Sequence, residues 1–282
     1  MNGFLKGCLA AGVGLIAIGS VVTAFDYART LRNAPRTAAE GLASVLEESR
    51  EGLKNLDLNL SGADLEITAG ETLSLQVGEK LQPYFQYELK GDTLRCWDTL
   101  GKNWWRKRSL GEGYDVSLVL PKAVYETVTV QLGVGSGELR GLETEIFSAA
   151  SGAGEIQLWD IRAEETELSC GAGTFTGRRV YSSRRTEINC GVGEFDLSGD
   201  LRGNVLVSGG VGEARLRLAG AEEEYSVLAE AGIGSVQVGS RETSMMGGKL
   251  EMERENAENR LELLCGVGQI DVQFSEDIDQ DF

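Results

Sequence analysis

The chain has 282 residues with 38 Gly, 3 Pro, 5 Cys and no His, and 44 acidic against 27 basic residues give a formal charge of −17. Without histidine there is no Ser-His-Asp or Cys-His catalysis, no His-ligated zinc or haem and no histidine pH switch, and so acidic a chain is ill suited to neutralising nucleic-acid phosphates. A hydrophobic content of 41% supports a sizeable core, and the scarcity of proline excludes collagen-like and Pro-Gly low-complexity chains.

Gly7 to Phe25 runs 19 residues without a charge, just enough to cross a bilayer as a helix. Lys6 flanks one side, and Asp26, Arg29, Arg32 and Arg36 flank the other. This reads as a signal anchor over 1–25; Val22 and Ala24 offer the small residues of a cleavage site, so a cleaved export signal is the alternative. Leu5-Lys6-Gly7-Cys8 looks like a lipobox, but no apolar region precedes it, which argues against lipidation of Cys8. Counting positive charges favours an outside N-terminus. The short leading tail and the large acidic domain behind it favour the opposite. The expectation is a single-pass cell-membrane protein with its C-terminal domain extracytoplasmic. Residues 26–55 are expected to form a juxtamembrane stalk or lid, with a helix over Thr37–Asn55 that sets Leu42, Val45, Leu46 and Leu53 near one face and is weakened by Gly41 and Gly52.

Beyond residue 55 one motif recurs, Gly-x-Gly-x-apolar. Its paired glycines are Gly135 and Gly137, Gly152 and Gly154, Gly171 and Gly173, Gly191 and Gly193, Gly210 and Gly212, Gly232 and Gly234, and Gly266 and Gly268. The first glycines are spaced by 17, 19, 20, 19, 22 and 34 residues. A weaker copy, Ser61-Gly-Ala-Asp-Leu-Glu-Ile67, opens the series. Between the glycines the residues alternate with period two, as in Thr166, Leu168 and Cys170 against Glu167 and Ser169, which is the mark of strands with one buried face. Each repeat is too short to enclose a core, so the repeats must stack. The predicted fold is all-β: a single-stranded β-helix or solenoid over 56–274 with rungs of about 19–20 residues, the glycines at its corners. Leu139, Ile156, Phe175, Phe195, Ala214, Val236 and Ile270 are expected to form one buried column, and Leu132, Ala149, Leu168, Ile188, Val207, Ala229 and Leu263 another. Residues 81–113 read as an inserted hairpin, 241–260 as a charged loop, and 275–282 as a solvated acidic tail.

The run Tyr125-Glu-Thr-Val-Thr-Val-Gln-Leu-Gly-Val-Gly-Ser-Gly-Glu-Leu139, the Gly-x-Gly-Glu-apolar copies after it and Leu118-Val-Leu-Pro-Lys122 before it resemble the putative adhesin (DUF4097-type) β-solenoid family of bacterial envelopes, over roughly 56–274. The resemblance implies a β-helical, surface-exposed or membrane-associated protein, with no catalytic residues to carry over. It also implies a link, in some relatives, with envelope-stress systems.

Several groups stand out as candidate sites. Cys170, Cys190 and Cys265 each directly precede a first glycine and point inward with Leu168, Ile188 and Leu263. They read as small core residues, with a Cys170–Cys190 disulfide as the alternative, since neighbouring rungs bring Cα atoms within bridging range. Glu138, Glu155, Glu194 and Glu213 share a corner position, either as solvated carboxylates or as a cation site. Lys102-Asn-Trp104-Trp105-Arg106-Lys107-Arg108 is a basic, aromatic island suited to a membrane interface, a sugar or an acidic partner, or to covering the stack's end. Arg178, Arg179, Arg184 and Arg185 read as outward charges balancing nearby glutamates.

The sequence therefore predicts a non-enzymatic, adhesin-like envelope protein. It has no cofactor and no metal, meets the membrane through residues 7–25, does not bind nucleic acid, and takes an envelope protein or glycan as partner. A regulatory accessory of an envelope-stress system and, less well supported, a carbohydrate-active enzyme built on two carboxylates are the alternatives.

Overall fold

The computed structural model describes residues 42–48, 52–100, 114–244, 248–254 and 257–276. These form thirteen strands: β1 (Leu42–Glu48), β2 (Asn55–Gly70), β3 (Leu73–Gly78), β4 (Phe85–Lys90), β5 (Thr93–Asp98), β6 (Asp115–Pro121), β7 (Val124–Arg140), β8 (Glu143–Leu201), β9 (Asn204–Ala219), β10 (Tyr225–Val238), β11 (Arg241–Ser244), β12 (Gly248–Met252) and β13 (Asn259–Ser275). Among the described residues the helical element is a single 3₁₀ turn, Glu222–Glu224. The described residues are thus all-β but for that turn, as their period-two alternation predicts. No helix among the described residues is long and apolar enough to cross a membrane, and Gly7–Phe25 lies outside them.

The long strands stack in parallel layers. Gly135 of β7 pairs with Gly154 of β8, and Gly193 of β8 with Gly212 of β9, 19 positions apart in both cases. Within β8 the backbone of Gly173 lies against Gly154 and that of Gly193 against Gly173, so this one strand supplies several layers. Inward side chains align from layer to layer into a continuous core running from Leu53 to Val272. Phe175 and Phe195 stack within it with ring centroids 5.1 Å apart and planes 4° apart.

Four expectations are corrected. First, the copy around Gly135 is misaligned by two residues. The partners of Gly152 and Gly154 are Gly133 and Gly135, while Gly137 pairs with Ile156 and Leu65 and faces the core. Leu139 accordingly joins the column of Leu158, and Val130, not Leu132, lies beside Ala149. Three alternate glycines left the register open, and pairing to β2 and β8 decides it. Second, residues 42–48 of the expected helix Thr37–Asn55 are the strand β1, antiparallel to β3. A register shift between Ser44 and Leu46 turns both Val45 and Leu46 toward the core. This bulge accommodates the adjacent apolar pair that mimicked helical spacing.

Third, the charged segment 241–260 contains β11 and β12, which pair antiparallel with β10. Fourth, the layers do not follow chain order. β13 lies between β9 and β10, so the column reads Val207, Leu263, Ala229. The corner glycines are reordered in the same way. Gly234, which follows Gly212 in the repeat, pairs with Gly268, and it is Gly268 that pairs with Gly212. Gly234 is thus a corner, at a left-handed φ of 142°, but in the layer beyond that of Gly268. At the other end β2 lies between β7 and an outer layer made of β5 and β6, which pair parallel with its two halves. Within the segment 81–113, β4 and β5 pair antiparallel and β5 is also part of that outer layer, while 101–113 lie outside the described residues.

Candidate interaction surfaces

Each end of the stack exposes a different kind of apolar side chain. In β5 alternation buries Leu94 and Cys96 and turns Arg95 and Trp97 outward. Trp97 is flanked by Gln86 of β4 and Asn59 of β2, and Asn59 Nδ2 donates to Gln131 Oε1 at 3.2 Å. Tyr84, Tyr87 and Trp97 are 45, 39 and 38% exposed, and among the described residues they are the exposed aromatic side chains. The Tyr87 hydroxyl donates to the Val45 carbonyl at 3.3 Å, tying β4 to β1. Arg95 meets Asp57 at 3.2 Å beside this group.

The basic aromatic island Trp104, Trp105, Arg106, Lys107 and Arg108 lies outside the described residues. Its flanks are fixed. Asp98 accepts from the N–H of Leu100 at 3.0 Å and from that of Ser61, and the N–H of Asp64 donates to the Tyr114 carbonyl at 3.2 Å. The chain therefore leaves and rejoins the outer layer over the corner of β2.

The opposite end is aliphatic. Ile233 and Val267, paired across β10 and β13, are 55 and 44% exposed, and Leu264 is 36% exposed. Ile233 and Val267 are the residues between the paired glycines, and the same position is apolar in each full copy: Val134, Ala153, Ala172, Val192 and Val211. This outward line was visible in the sequence as the x of Gly-x-Gly. It was missed because the flanking glycines accounted for the motif on their own.

Between the ends, charges interlock. Arg179 Nε and Nη2 donate to Asp160 Oδ1 and Oδ2 at 2.5 and 2.8 Å, and this hydrogen-bonded guanidinium holds the Asp160 carboxyl below its usual range. Asp160 and Arg179 both adopt left-handed φ, 55° and 53°. Burial opposes ionisation of Asp196, but Arg178 and Arg217, at 3.1 and 2.8 Å, prevail and hold its carboxyl low. Arg184 meets Glu164 and Glu165 at 3.3 and 2.6 Å, and Arg185 meets Glu187 at 2.5 Å. Arg140 and Arg162 lie over the rings of Trp159 and Tyr181 at 4.9 and 4.1 Å.

The carboxylate column is interrupted. Ser136 pairs with Glu155, so Glu138 is displaced to the Gln157 position, and of the four only Glu194 and Glu213 pair directly. Arg215 lies 2.7 Å from Glu213, and Gln157 donates to Glu155 at 2.7 Å. These carboxylates do not converge on one point, and no group of three metal-ligating side chains forms among the described residues. Cys190 pairs with Gly209 and Gly209 with Cys265, while Cys170 occupies the layer before Cys190. All four described cysteines are free thiols.

No family profile matches this chain, and no curated protein matches it. Solved structures similar to it include a putative cell adhesion protein from Clostridium sporogenes, 17% identical with a TM-score of 0.37, covering 83% of this chain and 100% of the other. A putative adhesin from Bacteroides fragilis is 12% identical with a TM-score of 0.43, covering 83% and 98%.

Proposed function

We propose that this chain is a non-enzymatic, adhesin-like β-solenoid anchored in the bacterial cell membrane through residues 7–25. In this reading its stack stands outside the cell and its far end contacts an envelope protein. The supporting observation is the polarity of the stack. β1, the described strand nearest the anchor, joins the same end that carries Tyr84, Tyr87 and Trp97. Aromatic rings beside basic residues suit a membrane–water interface, so that end rests toward the bilayer. The far end carries Ile233, Val267 and Leu264. Aliphatic side chains suit an apolar protein surface, whereas sugar stacking calls for aromatic faces.

The test is whole-cell: cells displaying the full chain are assayed for protease accessibility of the stack and for partner-dependent adhesion. Cleavage on intact cells is the expected result, with adhesion abolished by Ile233→Asp and unchanged in Trp97→Ala. Protection from protease sinks the extracytoplasmic placement, and adhesion that depends on Trp97 but not Ile233 reverses the polarity.

A further inference from the structure

Inside the stack a line of thiols is interrupted by a gap. Cys190, Gly209 and Cys265 occupy one position in three consecutive layers. Cys170 precedes Cys190 in the same line: a Cβ on the next residue, Gly191, would lie 2.5 Å from the Gly171 carbonyl oxygen and 3.6 Å from that of Cys170. Directly opposed residues of neighbouring strands have Cα atoms about 4.8 Å apart, within the range a disulfide spans. Gly209 and Ala214 leave the β9 layer short of side-chain volume between Phe195 and Ile270, and a cavity opens there, walled by Cys190, Gly209, Leu264 and Cys265 among others. The glycine at 209 is not demanded by the backbone. Its φ is not left-handed, and the nearest atom to an added Cβ would be Cys265 Sγ at 3.8 Å. Cys170 is buried, whereas Cys190 is half-buried and faces the cavity.

We propose that Cys190 and Cys170 form a dithiol–disulfide site that exchanges with small thiol-derived disulfides meeting the half-buried Cys190 sulfur beside the Gly209 gap, and so staples two neighbouring layers. The Cys190 thiolate attacks one sulfur of the small disulfide, forming a mixed disulfide and releasing one thiolate. Cys170 then loses its proton and attacks Cys190 Sγ; the protein disulfide forms and the second thiolate leaves. The two protons from the cysteines end on the two released thiols, so the small disulfide is the oxidant and nothing else is consumed. The burial of the two thiols supports these roles: Cys190 is half-buried and lines the cavity, whereas Cys170 is buried and its thiol is pushed up by the neighbouring Cys190 and by burial. This site does not rest on the membrane anchoring or adhesive role proposed above.

The full chain in mild detergent, first reduced, is incubated with oxidised glutathione, quenched by alkylation and digested with trypsin. Arg178, Arg179, Arg184 and Arg185 separate the two cysteines into different peptides. The expected product is a disulfide joining the Cys170 and Cys190 peptides, reversed by dithiothreitol, with Cys96 still a free thiol. Cys170→Ala should stop at one glutathione on Cys190, Cys190→Ser should leave Cys170 unmodified, and Gly209→Ala should slow the exchange severalfold by filling the gap. Both thiols remaining alkylatable in the unaltered chain, with its circular dichroism unchanged, overturns the proposal. So does glutathione found on Cys265 in place of Cys190.

Discussion

The two ends of the stack solve one problem in one way and then diverge. A repeat that simply stopped would leave a bare strand edge and a frayed terminal strand. At the N-terminal end, β2 is tucked one layer in, between β7 and the β5/β6 layer, and β3 and β4 pair antiparallel outside it. At the C-terminal end, β13 is tucked between β9 and β10, and β11 and β12 pair antiparallel outside. In both, the outermost member of the repeat in sequence is held on both sides by chain from further in. The divergence is at the corner. β2 turns its corner at Ala63 without a left-handed φ, whereas β10 turns its own at Gly234 with a φ of 142°. An ordinary φ lets an L side chain sit there, and this explains why β2 carries Ala63 where the paired position of β7 is Gly135. A Cβ on Gly135 would fall 1.9 Å from the Ala63 oxygen, one on Gly268 1.7 Å from the Gly212 oxygen and one on Gly234 1.7 Å from the Gly268 oxygen. Each such Cβ points toward the neighbour on the N-terminal side of the stack. The glycine is thus imposed by the next layer as well as by its own left-handed φ.

The largest expected effect tests this directly. Gly135→Ala and Gly268→Ala should each cost more than about 4 kcal/mol by forcing backbone apart, while Ala63→Gly should cost only about 1 kcal/mol; urea unfolding of the three variants measures the difference. Comparable losses at all three positions would refute this account of Ala63.

Next comes the clamp that inserts β13. The buried Asn259 side chain accepts from the Gly203 N–H at 2.8 Å and donates to the Glu224 carbonyl at 3.3 Å, bridging the starts of β9 and β10. Asn259→Ala should destabilise by about 1–3 kcal/mol by orphaning buried backbone groups. Hydrogen exchange should rise in 204–275 and stay unchanged at the β2 end. Faster exchange spread evenly over both ends would show that the clamp is not local.

The middle of the stack supplies a reference for both ends. Asp196 is held ionised by Arg178 and Arg217, below its ordinary value of 3.8. A depressed carboxylate stabilises fully above its unfolded value and is lost as pH falls through the folded one. Stability should therefore fall below pH 3.8 more steeply in the unaltered protein than in Asp196→Asn. Parallel pH profiles would show the pair to be inert. The smallest effect is expected at Asp160, where Asp160→Gly removes left-handed strain together with a largely exposed ion pair. The two offset, and stability should shift by less than about 1 kcal/mol.

Much of this architecture is legible in the sequence, and the limits of legibility have identifiable causes. Alternation placed Ile156, Phe175, Phe195, Ile188 and Val207 in the core because period two is fixed by the pleat of a strand. The stacked positions of Cys170 and Cys190 followed from the same rule. Gly137 was placed at a corner because Gly133, Gly135 and Gly137 offer two registers, and only the partner strands choose between them. Val45 and Leu46 misled because adjacent apolar residues fit a helix face as well as a bulged strand. The outward line ending in Val267 and Ile233 could have been read from the motif itself, whereas the cavity beside Gly209 depends on which layer lies on each side of it.

What the sequence by itself determined is the layer: its length, its inward and outward faces, and the glycine at its first corner. What only the tertiary structure decided is the order of the layers. Every copy carries the same motif, so any permutation aligns the same columns and buries nearly the same side chains. The ordering comes instead from features that act only between layers. The long segment before β13 lets the chain turn back, the Asn259 side chain reaches in both directions, and the antiparallel strands close the two ends.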